Sequence, residues 1–338
     1  MTINQGFPKY IHHPFTGHIP ILTNPDHIPK YLFQMRAFQS ALLLILVLIH
    51  HPAMATDPTA DKLDIVVTIR PLYSLVAHLT TGIVEPKLLL RQQADAHHVY
   101  LRPSQRRMLA DADLIIRISA QLSPFLDSIA AQQARSRLVS ASDAPGITIL
   151  PRRTSDERAQ QKEHHGHGPG DDEDPHIWLS SANARAISSY IAAILKQSLP
   201  ERAESIDANL ASLLTRIDDT ERQIKQAFSQ GEVSYIAQHD AFQYYDNELG
   251  IRFVAAVTFD EEAGASLRHL RELGKLITRQ QVNCLAYQRP RQNMVDTLAD
   301  RYHLTTIELD PLGLDASSDR DAWFEIMHSL RLGFQACL

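Results

Sequence analysis

From residue 61 onward, short β-branched runs alternate with segments of helical period, and this alternation most narrows the possible folds. "LDIVVTIRP" (63–71) reads as a strand ended by Pro71, and "LYSLVAHLTTG" after it carries apolar residues at helical spacing up to Gly82. "VEPKLLL" (84–90), "DLIIRIS" (113–119) and "GITIL" (146–150) read as further strands, with "SQRRMLADA" (104–112) and "PFLDSIAAQQ" as helices. The second half repeats the style. Its strands are "VSYIAQ" (233–238), "RFVAAV" (252–257), "VNCLAYQ" (282–288) and "TTIEL" (305–309), with "SLRHLRELGKLITRQ" and "QNMVDTLADRY" as helices between them. A parallel neighbour is reached only by a crossover long enough to hold a helix, so this pattern predicts parallel sheets. The expected fold class is α/β, with two lobes, each a parallel sheet flanked by helices.

Between the halves lies "ERAESIDANLASLLTRIDDTERQIKQAFSQG" (201–231), which sets Ile206, Leu210, Leu213, Ile217, Ile224 and Phe228 on one stripe. Pro200 starts this segment and Gly231 stops it. At its rise per residue the helix would be roughly 45 Å long, a stiff connector rather than a flexible hinge. A coiled-coil dimer helix is the competing reading, and the mixed spacing disfavours it. The expected division is an N-terminal lobe over 56–200, a linking helix over 201–230 and a C-terminal lobe over 231–338.

"MRAFQSALLLILVLIHHPAMA" (35–55) has the form of a secretory signal: a basic residue, an apolar run and a small-x-small close, with cleavage expected after Ala55. The apolar run is about half the roughly 17–25 residues that a membrane-spanning helix needs. Residues 1–34 precede this complete signal, show no period and read as a misassigned extension. Export gives meaning to the two cysteines, Cys284 and Cys337, since an even count in an exported chain points to a disulfide. No cysteine follows the signal, so a lipid-free periplasmic protein, working as a monomer, is expected. Hydrophobic residues at 44% and charged residues at 21% exclude a wholly disordered chain, and a net charge of −6 without a basic stripe excludes a nucleic-acid binder.

No HExxH, GxSxG, Walker or dinucleotide-binding motif occurs, and no catalytic residue is expected. What the chain has is histidine, 17 in all, and several stand at the ends of expected strands. His97 and His98 follow the strand ending at Leu90, His239 follows "VSYIAQ", and Asp310 follows "TTIEL". His176 precedes a helix starting near Ser180. Ligands of open α/β sheets gather outside the carboxyl ends of the strands. Three imidazoles and one carboxylate make a tetrahedral N₃O set suited to Zn²⁺, whereas Mn²⁺ favours more oxygen and Cu(I) favours sulfur.

With these residues in view, residues 60–338 resemble the zinc-binding solute receptors of bacterial ABC transporters, the class whose lobes are joined by one long rigid helix. "HHVYLRPS" resembles that family's H-x-x-x-L-R-P-S segment, which implies His97 rather than His98 as a ligand; His98 is left with a supporting or exposed place. "HIWLS" implies His176, "QHDAFQYY" implies His239, and "LDPLG" implies Asp310 as the fourth ligand. The cysteine pair also falls where zinc receptors of this class carry their disulfide. Manganese-selective members have glutamate at the position of His239, so the histidine implies zinc. Two departures matter: Ala96 stands where some zinc members have a ligating glutamate, and Gln288-Arg289 replaces an E-P pair. The first leaves Asp310 or a water as the fourth ligand.

The resemblance implies Zn²⁺ as transported cargo, and a membrane permease with its cytoplasmic ATPase as partners. A manganese or iron receptor of the same fold is the alternative, and an exported zinc hydrolase is a more distant one. The run "EHHGHGPGDDEDP" (163–175) falls where zinc receptors carry a mobile His- and acid-rich insertion, expected here over 156–175. Its composition cannot bury enough apolar area to fold. His164, His165 and His167 are read either as plain solvated residues or as weak accessory zinc ligands. Phe242, Tyr244 and Tyr245 are read as packing around the site, and His78, His269, His303 and His328 as exposed or capping residues.

Overall fold

The computed structural model describes residues 63–91, 99–131, 136–153, 173–229, 231–258 and 266–338. The expected leader, His97, His98, His164, His165 and His167 lie outside these residues.

The first sheet holds β1 (Ile65–Val67), β2 (Lys87–Leu88), β3 (Leu114–Arg117) and β4 (Arg137–Ser140) in the order β2-β1-β3-β4, with every pairing parallel. The second holds β5 (Ser234–His239), β6 (Arg252–Thr258), β7 (Cys284–Tyr287) and β8 (Thr305–Glu308) in the order β6-β5-β7-β8, again all parallel. The two orders are the same when counted from the first strand of each sheet. In both, the direction of winding reverses beside that first strand, which is where open α/β sheets receive ligands. Helices α1 (Arg70–Leu79), α2 (Pro103–Asp111), α3 (Phe125–Ala131) and α4 (Ser181–Ser198) belong to the first half. Helix α5 (Ala203–Ala227) follows, and α6 (Gln243–Leu249), α7 (Leu267–Arg279), α8 (Asn293–Tyr302) and α9 (Ala322–Gln335) complete the second half. None of the described helices is long and apolar enough to cross a membrane.

One expected strand is absent. The fourth strand of the first sheet is Arg137–Ser140, and "GITIL" (146–150) runs as an irregular segment. Three of its backbone groups are satisfied by side chains instead of a ladder. Thr148 N donates to Asn183 Oδ1 at 2.9 Å, Asn183 Nδ2 donates to Thr148 O at 2.9 Å, and Leu150 N donates to Tyr244 Oη at 3.0 Å. An apolar run shows that a segment is buried, but the partners of its amides decide whether it is a strand.

Helix α5 has 25 residues and is therefore about 37 Å long. It is shorter than the expected span 201–230 because Pro200–Arg202 forms a separate 3₁₀ turn and Phe228 caps the other end. Ile206, Leu213, Ile217 and Ile224 are buried, and Leu210 and Phe228 pack half-buried against the same core. The stripe lies on α4, α1 and α9. The C-terminal helix α9 joins α5 in linking the halves. It packs on α1, and its Phe334 ring sits 5.0 Å from Tyr235, 6.0 Å from Phe242 and 5.8 Å from Tyr245. Just beyond it, Cys337 is disulfide-bonded to Cys284 at the start of β7, with 5.7 Å between the Cα atoms.

His78 lies in the seam of α1, α5 and α9, half-buried rather than exposed as its position in a surface-like helix suggested. Its ring meets Phe324 edge-on at 5.4 Å, Arg216 Nη1 donates to its Nε2 at 3.1 Å, and Asp321 is 3.3 Å away. Burial, with Arg216 and Arg320 nearby, depresses the imidazole pKa against the opposing pull of Asp321.

Two outcomes follow. Replacing Cys284 and Cys337 by serine lowers unfolding free energy by on the order of 4 kcal/mol in denaturant titrations, because an open loop returns to the unfolded ensemble. Because the folded-state pKa of His78 lies below its unfolded value, its contribution is fully present above about pH 6.5 and is lost as pH falls through the folded value. Between pH 7 and pH 5, thermal unfolding of the native chain therefore falls more steeply than that of His78→Gln.

Candidate metal centre

His176 opens the 3₁₀ turn Ile177–Leu179 and is buried. Its backbone N donates to Asp174 Oδ1 at 3.0 Å, and its ring Nδ1 is 2.7 Å from the same oxygen. A carboxylate at this position holds the proton on Nδ1 and leaves Nε2 as the lone-pair nitrogen. His239 closes β5 at its carboxyl end, opposite Thr258 of β6 and beside the reversal of the second sheet. Its predecessor Gln238 fastens that end: Gln238 Nε2 donates to Gln288 O and Pro290 O, and Gln292 N donates to Gln238 Oε1.

The structure brings these two histidines together. Their ring centroids are 5.5 Å apart with the planes at 64°. Two imidazoles bound to one tetrahedral ion at about 2.0–2.1 Å would have ring centres about 5 Å apart, so the spacing suits a shared ion.

Asp310 lies two residues beyond β8. Its Oδ1 accepts from Leu312 N and its Oδ2 from Asp315 N, each at 3.1 Å, and burial raises its pKa against these bonds. Gly313 and Leu314 add further backbone hydrogen bonds to the same carboxylate. Its loop is tied to His176 through Trp178. The Trp178 indole donates to Pro311 O at 2.8 Å while its ring stands 5.3 Å from the His176 ring, and Trp323 Nε1 donates to Trp178 O at 2.8 Å. Among the described residues no group of three His, Cys, Asp or Glu side chains is gathered for a metal ion. His97, which the family resemblance implied as a ligand, is outside them.

Several supports of the site were not singled out in the sequence. Asp174 looked like one acid of a solvated run, yet it and Pro175 are buried, so the acid-rich stretch ends before them. Tyr244 does more than pack: its hydroxyl donates to Asp174 O at 2.7 Å and accepts from Leu150 N. Phe242 and Tyr245 are buried as expected. Arg153 pairs with Asp240 at 3.0 Å and Asp246 at 2.9 Å, with its guanidinium 4.2 Å over the Phe253 ring. Burial pushes the Asp240 carboxyl up to about 6 and that of Asp246 up to about 7, against the pull of Arg153. Glu248 from the second half caps α4 of the first, accepting from Ser180 Oγ at 2.6 Å, Ser181 N at 3.0 Å and Ala182 N at 3.1 Å. A carboxylate is well placed at the positive end of a helix.

Two histidines at the seam of paired parallel sheets fit the resemblance seen in the sequence, and comparison with known proteins decides it. The model of the family described as zinc-uptake complex component A, periplasmic, matches residues 65–332. The chain belongs to this zinc-uptake family. Among its relatives, the high-affinity zinc uptake system protein ZnuA of Yersinia pestis is 26% identical over 289 residues, covering 81% of this chain and 91% of that protein. The zinc-binding lipoprotein AdcA of Streptococcus pneumoniae R6 is 22% identical over 276 residues, covering 81% of this chain and 55% of the lipoprotein. A crystal structure of ZnuA superposes with a TM-score of 0.70 at 21% identity, covering 82% of this chain and 99% of that one, which shows a shared fold. As a member of the zinc-uptake family the chain is a substrate-binding transport protein.

Replacing Tyr244 by phenylalanine strands Leu150 N and removes a donor from Asp174 O; unfolding in urea should show a loss of about 1–3 kcal/mol.

Proposed function

We propose that this protein captures Zn²⁺ outside the cytoplasm and hands it to a membrane permease for import, driven by a cytoplasmic ATPase. Membership of the zinc-uptake family supports the capture and delivery of zinc. The observation that carries the site is the approach of His176 and His239 to 5.5 Å across the seam. In this reading His97, His176 and His239 supply three neutral imidazoles, and Asp310 or a water completes a tetrahedral N₃O shell. The donor set favours zinc over manganese, which prefers more oxygen. The ion is exchanged, not used: its water shell is replaced by side chains on capture and restored on release. Where Asp310 is the fourth ligand the coordination is closed and no position remains for a catalytic water, which disfavours the hydrolase reading.

The signal segment 35–55, cleaved after Ala55, would deliver a lipid-free, monomeric receptor over 56–338 to the periplasm. His164, His165 and His167 would add weak accessory zinc capture. Release would follow when the permease draws one half's ligands aside. The two linking helices and the indole bonds at Trp178 and Trp323 favour small tilts over wide opening.

The test is the metal bound after equilibrating purified 56–338 with mixed Zn²⁺ and Mn²⁺. Zinc loading at one ion per chain is expected, and manganese loading would refute the assignment. His97→Ala, His176→Ala and His239→Ala each weaken zinc binding by roughly 100-fold or more, while His98→Ala does not. Because bound imidazole must be deprotonated, zinc affinity falls as pH drops through about 6.5.

A further inference from the structure

Residues 154–172 leave and rejoin the described backbone beside the paired histidines. Pro151 and Glu173 form an antiparallel bridge, Asp174 N donates to Leu150 O at 2.9 Å, and the Tyr244 hydroxyl fastens both sides. On one side of this root the described chain ends at Arg153, and on the other it resumes just before Asp174.

Each of these residues holds the support of one histidine. Asp174, buried, takes the His176 ring at Nδ1 and its backbone N on a single oxygen, Oδ1. Arg153 spreads its guanidinium fork over two carboxylates. One belongs to Asp240, the residue directly after His239, at 3.0 Å. The other belongs to Asp246 at 2.9 Å, which itself accepts from the hydroxyl of Tyr235 on β5, the strand that ends in His239. A planar fork bridging two acids fixes direction as well as charge, which a lysine cannot do.

We infer that Arg153 and Asp174 are positioning residues of the metal centre, aiming the His239 and His176 imidazoles at one divalent cation. The inference rests on those two histidines being ligands. Asp174 selects the tautomer with Nε2 unprotonated and stops the ring from turning. Arg153 stops the turn after β5 from shifting, so that the His239 ring stays within reach of His176. A metal-bound imidazole whose outer nitrogen loses its carboxylate partner typically weakens metal affinity by about 10–100-fold.

The experiment is a double-mutant comparison of zinc affinity, read by competition with a chromophoric chelator on the full exported chain, with the melting temperature of each metal-free variant as a check on folding. Asp174→Asn keeps size and an acceptor oxygen for the backbone N and Nδ1 but removes the negative charge that makes the imidazole a stronger donor to a metal. Arg153→Lys keeps the charge and loses the fork. Each is expected to lower zinc affinity by roughly 10–100-fold with little change in melting temperature. In a His176→Ala background Asp174→Asn should have no further effect, and in a His239→Ala background Arg153→Lys should have none, because each acts only through its histidine. Losses that persist undiminished in those backgrounds, or no loss in the native background, overturn the inference. If His176→Ala or His239→Ala itself leaves zinc affinity intact, the ligand assignment fails first and the inference falls with it.

Discussion

Two imidazoles from opposite halves of the chain lie 5.5 Å apart because buried polar groups leave neither half free to withdraw. Glu248 reaches across to cap α4, the Tyr244 hydroxyl holds Asp174 and Leu150, and the Trp178 indole holds the carbonyl of Pro311. The Tyr244–Asp174 and Trp178–Pro311 bonds are buried, where breaking them would leave a donor or acceptor without water. Helices α5 and α9 and the Cys284–Cys337 bridge add covalent and apolar continuity to the same seam. A metal centre split between two halves needs this kind of fastening, since an ångström of slack at either imidazole removes it from the ion.

The electrostatics suit reversible capture. In the proposed centre neutral imidazoles would meet a dication without repelling one another, and the carboxyl groups of Asp174, Asp240 and Asp246, with Arg153 among them, lie one layer out. Burial raises the carboxyls of Asp240 and Asp246 against the pull of Arg153. A nearby dication favours their ionised forms, as any opposite charge does.

Much of the architecture was legible in the sequence. Alternating β-branched and helical segments revealed the two parallel sheets, and the stripe Ile206, Leu213, Ile217 and Ile224 revealed the long helix and its buried face. His176 and His239 could be picked out by their neighbours "IWL" and "DAF", and the structure brings them together. What was not legible was set by tertiary partners. "GITIL" has the composition of a strand, yet Asn183 and Tyr244 take its amides, and "RLVS", half of it polar, supplies the edge instead. Asp174 hid in a run of acids, and nothing local separates it from Asp171 or Asp172; only its burial against His176 does. Arg153 finds Asp240 and Asp246 some 90 residues away, a pairing no local pattern announces.

The central claim is that three imidazoles distant along the chain meet on one zinc ion. Zinc-edge X-ray absorption of the loaded protein tests it most directly. The expected spectrum fits three imidazole nitrogens and one oxygen at about 2.0–2.1 Å, with the multiple scattering of ordered rings. A shell with fewer than three imidazoles, or one dominated by water oxygens, would contradict the account.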